Sequence, residues 1–93
     1  MQYYKKTELV KGDFFNARYV IYTAAIPECN YLQIFCNTYT FKNYKKTEVK
    51  HSLQSGTYFN YDKTKHGEEI SKTEFNKAFD NALFNIKKHL DIN

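Results

Sequence analysis

The three histidines and one polar loop are the first candidates for a functional site, because both could hold a metal ion. His51, His66 and His89 fall in three different parts of the chain, and none has a second ligand at a metal-binding spacing. The loop 60–67 alternates polar side chains ahead of a glycine, as a calcium loop does. The bidentate glutamate expected six residues after that glycine is absent, and Thr73 stands in its place. We therefore predict no metal site and no cofactor.

The two cysteines and the three glycines match no catalytic, redox or phosphate-binding motif. Six residues separate Cys29 from Cys36, a spacing that matches no usual zinc or redox motif. Cys36 lies in a strand-like run, where it behaves as a small apolar residue, so we expect two reduced thiols. The sequence assigns no activating base to any serine, cysteine or lysine, and the three glycines form no phosphate-binding loop. We expect that the protein is not an enzyme.

Lysines and tyrosines are interleaved in one segment, a pattern typical of proteins that bind single-stranded nucleic acid. The basic segment contains Lys42, Tyr44, Lys45, Lys46, Lys50 and His51. The strand before it carries four aromatic residues on one face, namely Tyr31, Phe35, Tyr39 and Phe41. The net charge is +4, but Arg18 is the only arginine, and arginine is the residue best suited to bidentate phosphate and base contacts. The alternative is a solvated lysine loop beside an ordinary amphipathic sheet.

Phe84 is the apolar residue whose position is least expected. It lies about 180° from Phe75 on a helical wheel and is surrounded by charged residues, among them Asp80, Lys77 and Lys88. Exposed aromatic residues rimmed by charge are typical of protein–protein interfaces. Phe84 therefore predicts either a protein-binding surface or an isolated exposed side chain.

A sheet must position most of these residues, because the front two thirds of the chain alternates with a period of two. The pattern predicts strands at 3–10, 14–24, 31–41, 47–53 and 57–61, the last two forming a hairpin around residues 54–56. In the third strand, Leu32, Ile34 and Cys36 share one face. The opposite, aromatic face is expected to be partly solvated.

A helix is predicted for the last third of the chain. Ser71 and Glu74 form a capping box, and Ile70 and Phe75 can close around it as a hydrophobic staple. The apolar stripe that follows recurs every three or four residues. It consists of Phe75, Ala78, Phe79, Ala82, Leu83, Ile86 and Leu90.

These elements predict an α+β fold: a four- to five-stranded antiparallel meander sheet covered on one face by a single C-terminal helix at about residues 71–91. The 93 residues should form a single domain, strand-rich over 1–62 and closed by the helix at 71–91. No apolar stretch reaches the ~18 residues of a membrane span, and the N-terminus lacks the apolar region of a signal peptide. We therefore expect a cytoplasmic protein without a membrane segment.

The sequence Gly-Glu-Glu-Ile-Ser-Lys-Thr-Glu-Phe at 67–75 leads from the strand-rich part into this helix. In this ending, its small size and its lysine-, asparagine- and tyrosine-rich composition, the chain resembles small accessory proteins of phages and mobile elements, of which anti-CRISPR proteins are the best known. The resemblance implies an inhibitor or modulator that occupies a surface of a larger host nuclease, RNA-guided or otherwise, by direct protein contact. It would act in the host cell cytoplasm. The resemblance carries over no functional residue.

The leading hypothesis is therefore a non-enzymatic binding protein whose partner is a larger host protein or ribonucleoprotein. The candidate partner-binding residues are Phe84, Lys77, Lys88, Tyr39, Phe41, Tyr44, Lys45 and Lys46. A second copy of the chain is another candidate partner for the outer face of the helix. The alternative function is a small single-stranded RNA- or DNA-binding protein that uses the same lysines and tyrosines.

Overall fold

The structure is a computed structural model that describes residues 1–28 and 30–91, with side chains as far as residue 88. Four long strands come first: β1 (Gln2–Lys11), β2 (Phe15–Ile26), β3 (Asn30–Phe41) and β4 (Lys46–Gly56). A short helix α1 (Lys63–His66), a short strand β5 (Glu68–Ile70) and the long helix α2 (Lys72–Asp91) follow. The predictions for Cys29 and for the side chains of His89 and Leu90 lie outside the described residues.

The strands form one open antiparallel sheet in the order β4-β3-β2-β1-β5, which confirms the predicted α+β fold with a C-terminal helix. The first four strands are a meander, as expected. The last strand is different: Glu68–Ile70 pairs with Tyr3–Lys5 at the far edge of the sheet. The fifth strand of the prediction, at 57–61, is wrong, because that segment is not a strand.

Gly56 explains the error in the predicted hairpin. We expected Gly56 to make a turn, but β4 continues through it, paired with β3 opposite Tyr31. A Cβ atom at this position would overlap the Tyr31 ring, so the glycine makes room for an aromatic side chain. The chain turns later, where Asp62 caps α1 by accepting a hydrogen bond from the Thr64 N–H at 2.9 Å.

The main core lies between α2 and one face of the sheet. It is built on Tyr3, Ala24, Ile34, Phe75 and Ala82, with Tyr22, Leu32, Cys36, Ile70 and Phe79 packed around them. The predicted inner face of β3 is thereby confirmed. The helix begins as predicted, since the Glu74 N–H donates to Ser71 Oγ at 3.1 Å. The capping box is only half formed, because the Glu74 carboxylate contacts Lys5 Nζ at 3.4 Å and not the Ser71 N–H, and this contact ties the first turn of the helix to β1.

A second, smaller core covers one end of the opposite face. The segment 57–67, which we call the covering segment, places Tyr61 over Tyr4 with ring centroids 4.3 Å apart and Phe59 near Tyr31 at 6.1 Å. His66, which no sequence pattern predicts to be buried, is only 6% exposed, and its ring centroid lies 4.8 Å from that of Phe59. The helix α2 is therefore not the only element that packs on the sheet. The remainder of this face stays uncovered.

Candidate functional site

The sheet divides the eight predicted binding residues between two surfaces. Lys77, Phe84 and Lys88 belong to α2, which packs on the face formed by Tyr3, Ala24 and Ile34. Tyr39 and Phe41 point to the other face, because side chains alternate along a strand and Ile34 faces the helix. Tyr44, Lys45 and Lys46 lie at the turn between β3 and β4 and at the start of β4, beside Phe41. The predicted residues are thus two candidate sites and not one.

The uncovered part of the second face carries four packed aromatic rings, which we call the aromatic platform. Its members are Phe15, Tyr19, Tyr39 and Phe41. Ring centroids are 5.6 Å apart for Phe15 and Phe41, 6.1 Å for Phe15 and Tyr39, and 5.9 Å for Tyr19 and Tyr39. The rings are tilted or edge-on to one another, the arrangement that aromatic quadrupoles favour.

Strand register explains why these rings meet. Phe15 lies opposite Phe41, and the small Ala17 lies opposite Tyr39, which leaves room for rings on either side. Ala17 is only 4% exposed, so the platform closes over it. The platform lies on β2 and β3, two interior strands of the sheet, and consists of half-buried rings. It is therefore a preformed surface, and little side-chain freedom remains to be lost on binding.

Charged side chains of β4 border the platform. Lys46, Glu48 and Lys50 pair in register with Phe41, Tyr39 and Asn37. The Lys50 ammonium lies 5.7 Å from the Tyr39 ring centroid, within cation–π range. Lys46 Nζ is 3.0 Å from Glu48 Oε1, and this hydrogen-bonded pair lowers the pKa of Glu48. Glu48 is thus ionised at neutral pH and hydrogen-bonded to Lys46, while the Lys50 charge also contributes to the lowered pKa of Glu48.

The end of the sheet beyond the platform, which we call the tip, consists of the turn 12–14 between β1 and β2 and the turn 42–45 between β3 and β4. The Lys42 N–H donates to the Phe14 carbonyl at 2.9 Å, and Lys42 Nζ donates to the Gly12 carbonyl at 2.6 Å, so the two turns are tied together. Tyr44 is 79% exposed there and, with Phe41, lines a shallow depression of about 350 Å³. Lys45 adopts the left-handed backbone conformation, with a φ of 48°, at the end of the turn. The tip thus presents an aromatic side chain and lysines beside the platform.

Asn37 is the polar residue of this face that sequence reasoning missed. Its Oδ1 atom is buried and has no hydrogen-bond partner among the described residues. It lies between Tyr19 on β2 and Lys50 on β4 in the register of the sheet. A buried acceptor without a partner costs about 1–3 kcal/mol, so we expect an ordered water or a ligand to donate to this atom.

The outer face of α2 is the second candidate site. Lys77, Phe84 and Lys88 are all exposed and lie on one side of the helix, because they are spaced by seven and four residues. Phe84 is 67% exposed, which agrees with the prediction that it points to solvent. The apolar ring stands between two lysines. This surface can accept an apolar or acidic contact from a partner.

No group of side chains in the described part of the chain has the composition of a metal site. No cluster of three or more histidine, cysteine, aspartate or glutamate residues is found there. Burial raises the pKa of the Cys36 thiol, so less of it is present as the nucleophilic thiolate at neutral pH. Within the same residues, no helix has the length and apolar character needed to cross a membrane.

The comparisons with known proteins find no relative. Protein-family models, curated proteins and solved structures all lack a match to this chain. Its function must therefore be argued from the two surfaces themselves.

Proposed function

We propose that this chain is a non-enzymatic binding protein that inhibits or modulates a host defence nuclease by direct contact through the outer face of α2. The observation that supports this proposal is the 67% exposure of Phe84 on a helix whose apolar stripe is already used by the sheet. The nuclease as partner is suggested by the resemblance to phage accessory proteins.

The exposed ring is large enough to anchor an interface. A phenylalanine side chain has about 200 Å² of surface, so covering two thirds of it would remove about 130 Å² from water. At about 25 cal/mol per Å², that burial is worth about 3 kcal/mol. This is the size of effect seen at interface hot spots.

The flanking lysines define the chemistry of the partner surface. Lys77 and Lys88 are exposed on the same side of the helix as Phe84. A matching surface would carry an apolar pocket for the ring with carboxylates at its rim. Opposite charges at the rim of an interface mainly accelerate association and select the partner.

The experiment is a cleavage assay with a purified RNA-guided nuclease, its guide and a target DNA. The wild-type protein should slow cleavage and bind the nuclease, and Phe84→Ser should weaken that binding by about 30-fold or more, the equivalent of a hot spot of about 2 kcal/mol. Tyr58→Ser is the matched control, because Tyr58 is 89% exposed and lies in the covering segment on the other side of the sheet. The control should bind like the wild type.

Three results would count against the proposal. If the wild-type protein neither binds nor inhibits any nuclease in a panel of host effector complexes, the proposed inhibition is wrong. If Phe84→Ser and Tyr58→Ser weaken binding equally, the outer face of α2 is not the binding surface. Concentration-dependent dimerisation in sedimentation that Phe84→Ser abolishes would assign the helix face to a second copy of the chain.

A further inference from the structure

The aromatic platform lies on the interior strands β2 and β3, on the face of the open sheet opposite α2. The covering segment packs against Tyr4 and Tyr31 at one end, and the tip lies at the other, so the platform is framed along the strands. We infer that this platform binds single-stranded nucleic acid, with bases stacked on its rings and phosphates on the surrounding lysines. Base–aromatic stacking beside lysines is how sequence-tolerant single-strand binding works. This site is on the opposite side of the sheet from Phe84 and is independent of the function proposed above.

The charges around the platform favour a polyanion over a neutral or basic protein segment. Lys46 and Lys50 border it on β4, and Lys42 and Lys45 stand at the tip. The carboxylate in the β4 row, Glu48, is paired with Lys46 at 3.0 Å. Two further acidic residues lie near this face. Glu8 on β1 pairs with Tyr19 on β2 in the register of the sheet, and Asp13 lies in the tip. Lysines therefore outnumber carboxylates around the rings.

Lys50 is placed to serve both parts of a nucleotide. Its ammonium lies 5.7 Å from the centre of the Tyr39 ring in the free protein. A base that stacks on Tyr39 would displace this ammonium, and the flexible lysine chain can then follow the neighbouring phosphate. Lys50 would thus cover the Tyr39 ring in the free protein and contact a phosphate in the complex.

Asn37 adds a polar acceptor to the middle of this face. The residue is half-buried, its Oδ1 has no partner among the described residues, and it lies beside Tyr19 and Lys50. Because neighbouring side chains cover this atom in the free protein, the exocyclic amino group of a stacked base would reach it only when a neighbour such as the Lys50 side chain moves aside. Single-stranded bases are commonly recognised in this way, since their polar edges are free.

The test measures fluorescence anisotropy of labelled oligocytidylate, as RNA and as DNA of about 16 nucleotides, against salt concentration. The site variant is Lys46→Gln with Lys50→Gln, and its matched control is Lys77→Gln with Lys88→Gln, which removes the same charge from the helix face. The site variant should reduce the slope of log K against log salt by about 1.4, at about 0.7 per phosphate contact. The control should keep the wild-type slope. Tighter binding of the RNA probe would indicate contacts to the 2′-hydroxyl.

Asn37→Leu gives a second readout that a purely structural role would not produce. Removing a buried acceptor without a partner should raise the melting temperature of the free protein, while the loss of the base contact should weaken oligonucleotide binding by about fivefold or more. A lower melting temperature together with unchanged binding would show that Asn37 has no ligand.

Three outcomes overturn the inference. One is a wild-type protein that does not bind either probe at about 50 mM salt, where phosphate contacts are strong. Another is an equal decrease in the slope of log K against log salt for the two double variants, because binding would then depend on net charge and not on a specific site. The third is a site variant that binds oligonucleotide normally but loses its protein partner, which would make the platform a protein interface.

Discussion

Phe75 and Phe84 lie nine residues apart on α2 and provide a matched pair for testing how the helix packs. The perturbation is Phe→Ala at each position, so the change in side chain and in helix propensity is the same. Phe75 is 4% exposed, and its ring lies 4.9 Å from that of Tyr3 and 6.5 Å from that of Phe79. Phe84 is 67% exposed. Any difference between the two variants therefore measures burial.

The expected magnitudes follow from this difference. Phe75→Ala should lower the free energy of unfolding by about 3–5 kcal/mol, since it opens a cavity beneath the helix. Phe84→Ala should cost less than about 1 kcal/mol, as surface substitutions usually do. For a domain of this size, a loss of 1 kcal/mol lowers the melting temperature by about 4–8 °C. Phe75→Ala should therefore melt at least about 12 °C below the wild type.

Urea unfolding followed by circular dichroism, together with thermal melts, measures both variants, and sedimentation confirms that the samples are monomeric. Similar losses at the two positions would refute the packing of α2 described above. So would a loss of more than about 2 kcal/mol for Phe84→Ala in a monomer, because the ring would then be buried by its own chain.

The remaining predictions concern the helix cap and two shifted pKa values. Ser71→Ala should cost about 1 kcal/mol in urea unfolding, because Ser71 Oγ accepts the Glu74 N–H at 3.1 Å; no loss would mean that the cap is not formed in solution. Burial, with Glu69 and Tyr61, raises the pKa of Tyr4, so the unfolded chain ionises first and stability should fall as the pH rises through the ordinary value of 10.0 to the raised one. Tyr4→Phe should make that fall shallower in urea unfolding at several alkaline pH values, and an unchanged pH dependence would contradict the assignment. In a Cys29→Ser background, iodoacetamide should alkylate Cys36 more slowly in the folded protein than in urea, since burial raises the pKa of this thiol; equal rates would show that it is exposed.

The features predicted correctly from the sequence depend on local patterns. Alternation defines β3 and places Tyr39 and Phe41 on the face of the sheet away from Ile34. The predicted N-cap at Ser71 places the start of α2 within one residue. The exposure of Phe84 follows from the helical period alone. These features require no knowledge of what packs against them.

The features that were missed depend on contacts between distant parts of the chain. The strand Glu68–Ile70 has three residues and forms only because Tyr3–Lys5 is available at the edge of the sheet. Gly56 has the local character of a turn, but the Tyr31 ring determines its role. Phe15 and Tyr19 join the platform through the register of β2 against β3, and the burial of the Asn37 Oδ1 atom depends on neighbours in both flanking strands.

The two adjacent tyrosines of β1 connect the two layers of the protein, and this has a consequence for its synthesis. Tyr3 packs under Phe75 of α2, and Tyr4 packs under Tyr61 of the covering segment. The same strand reaches Glu74 through Lys5, which is 69 positions away in the sequence. On the ribosome, β1 is made long before these partners, and such distant pairings form slowly. A nascent chain that ends after β4 would expose both apolar faces of its sheet and would be prone to aggregate or to require a chaperone.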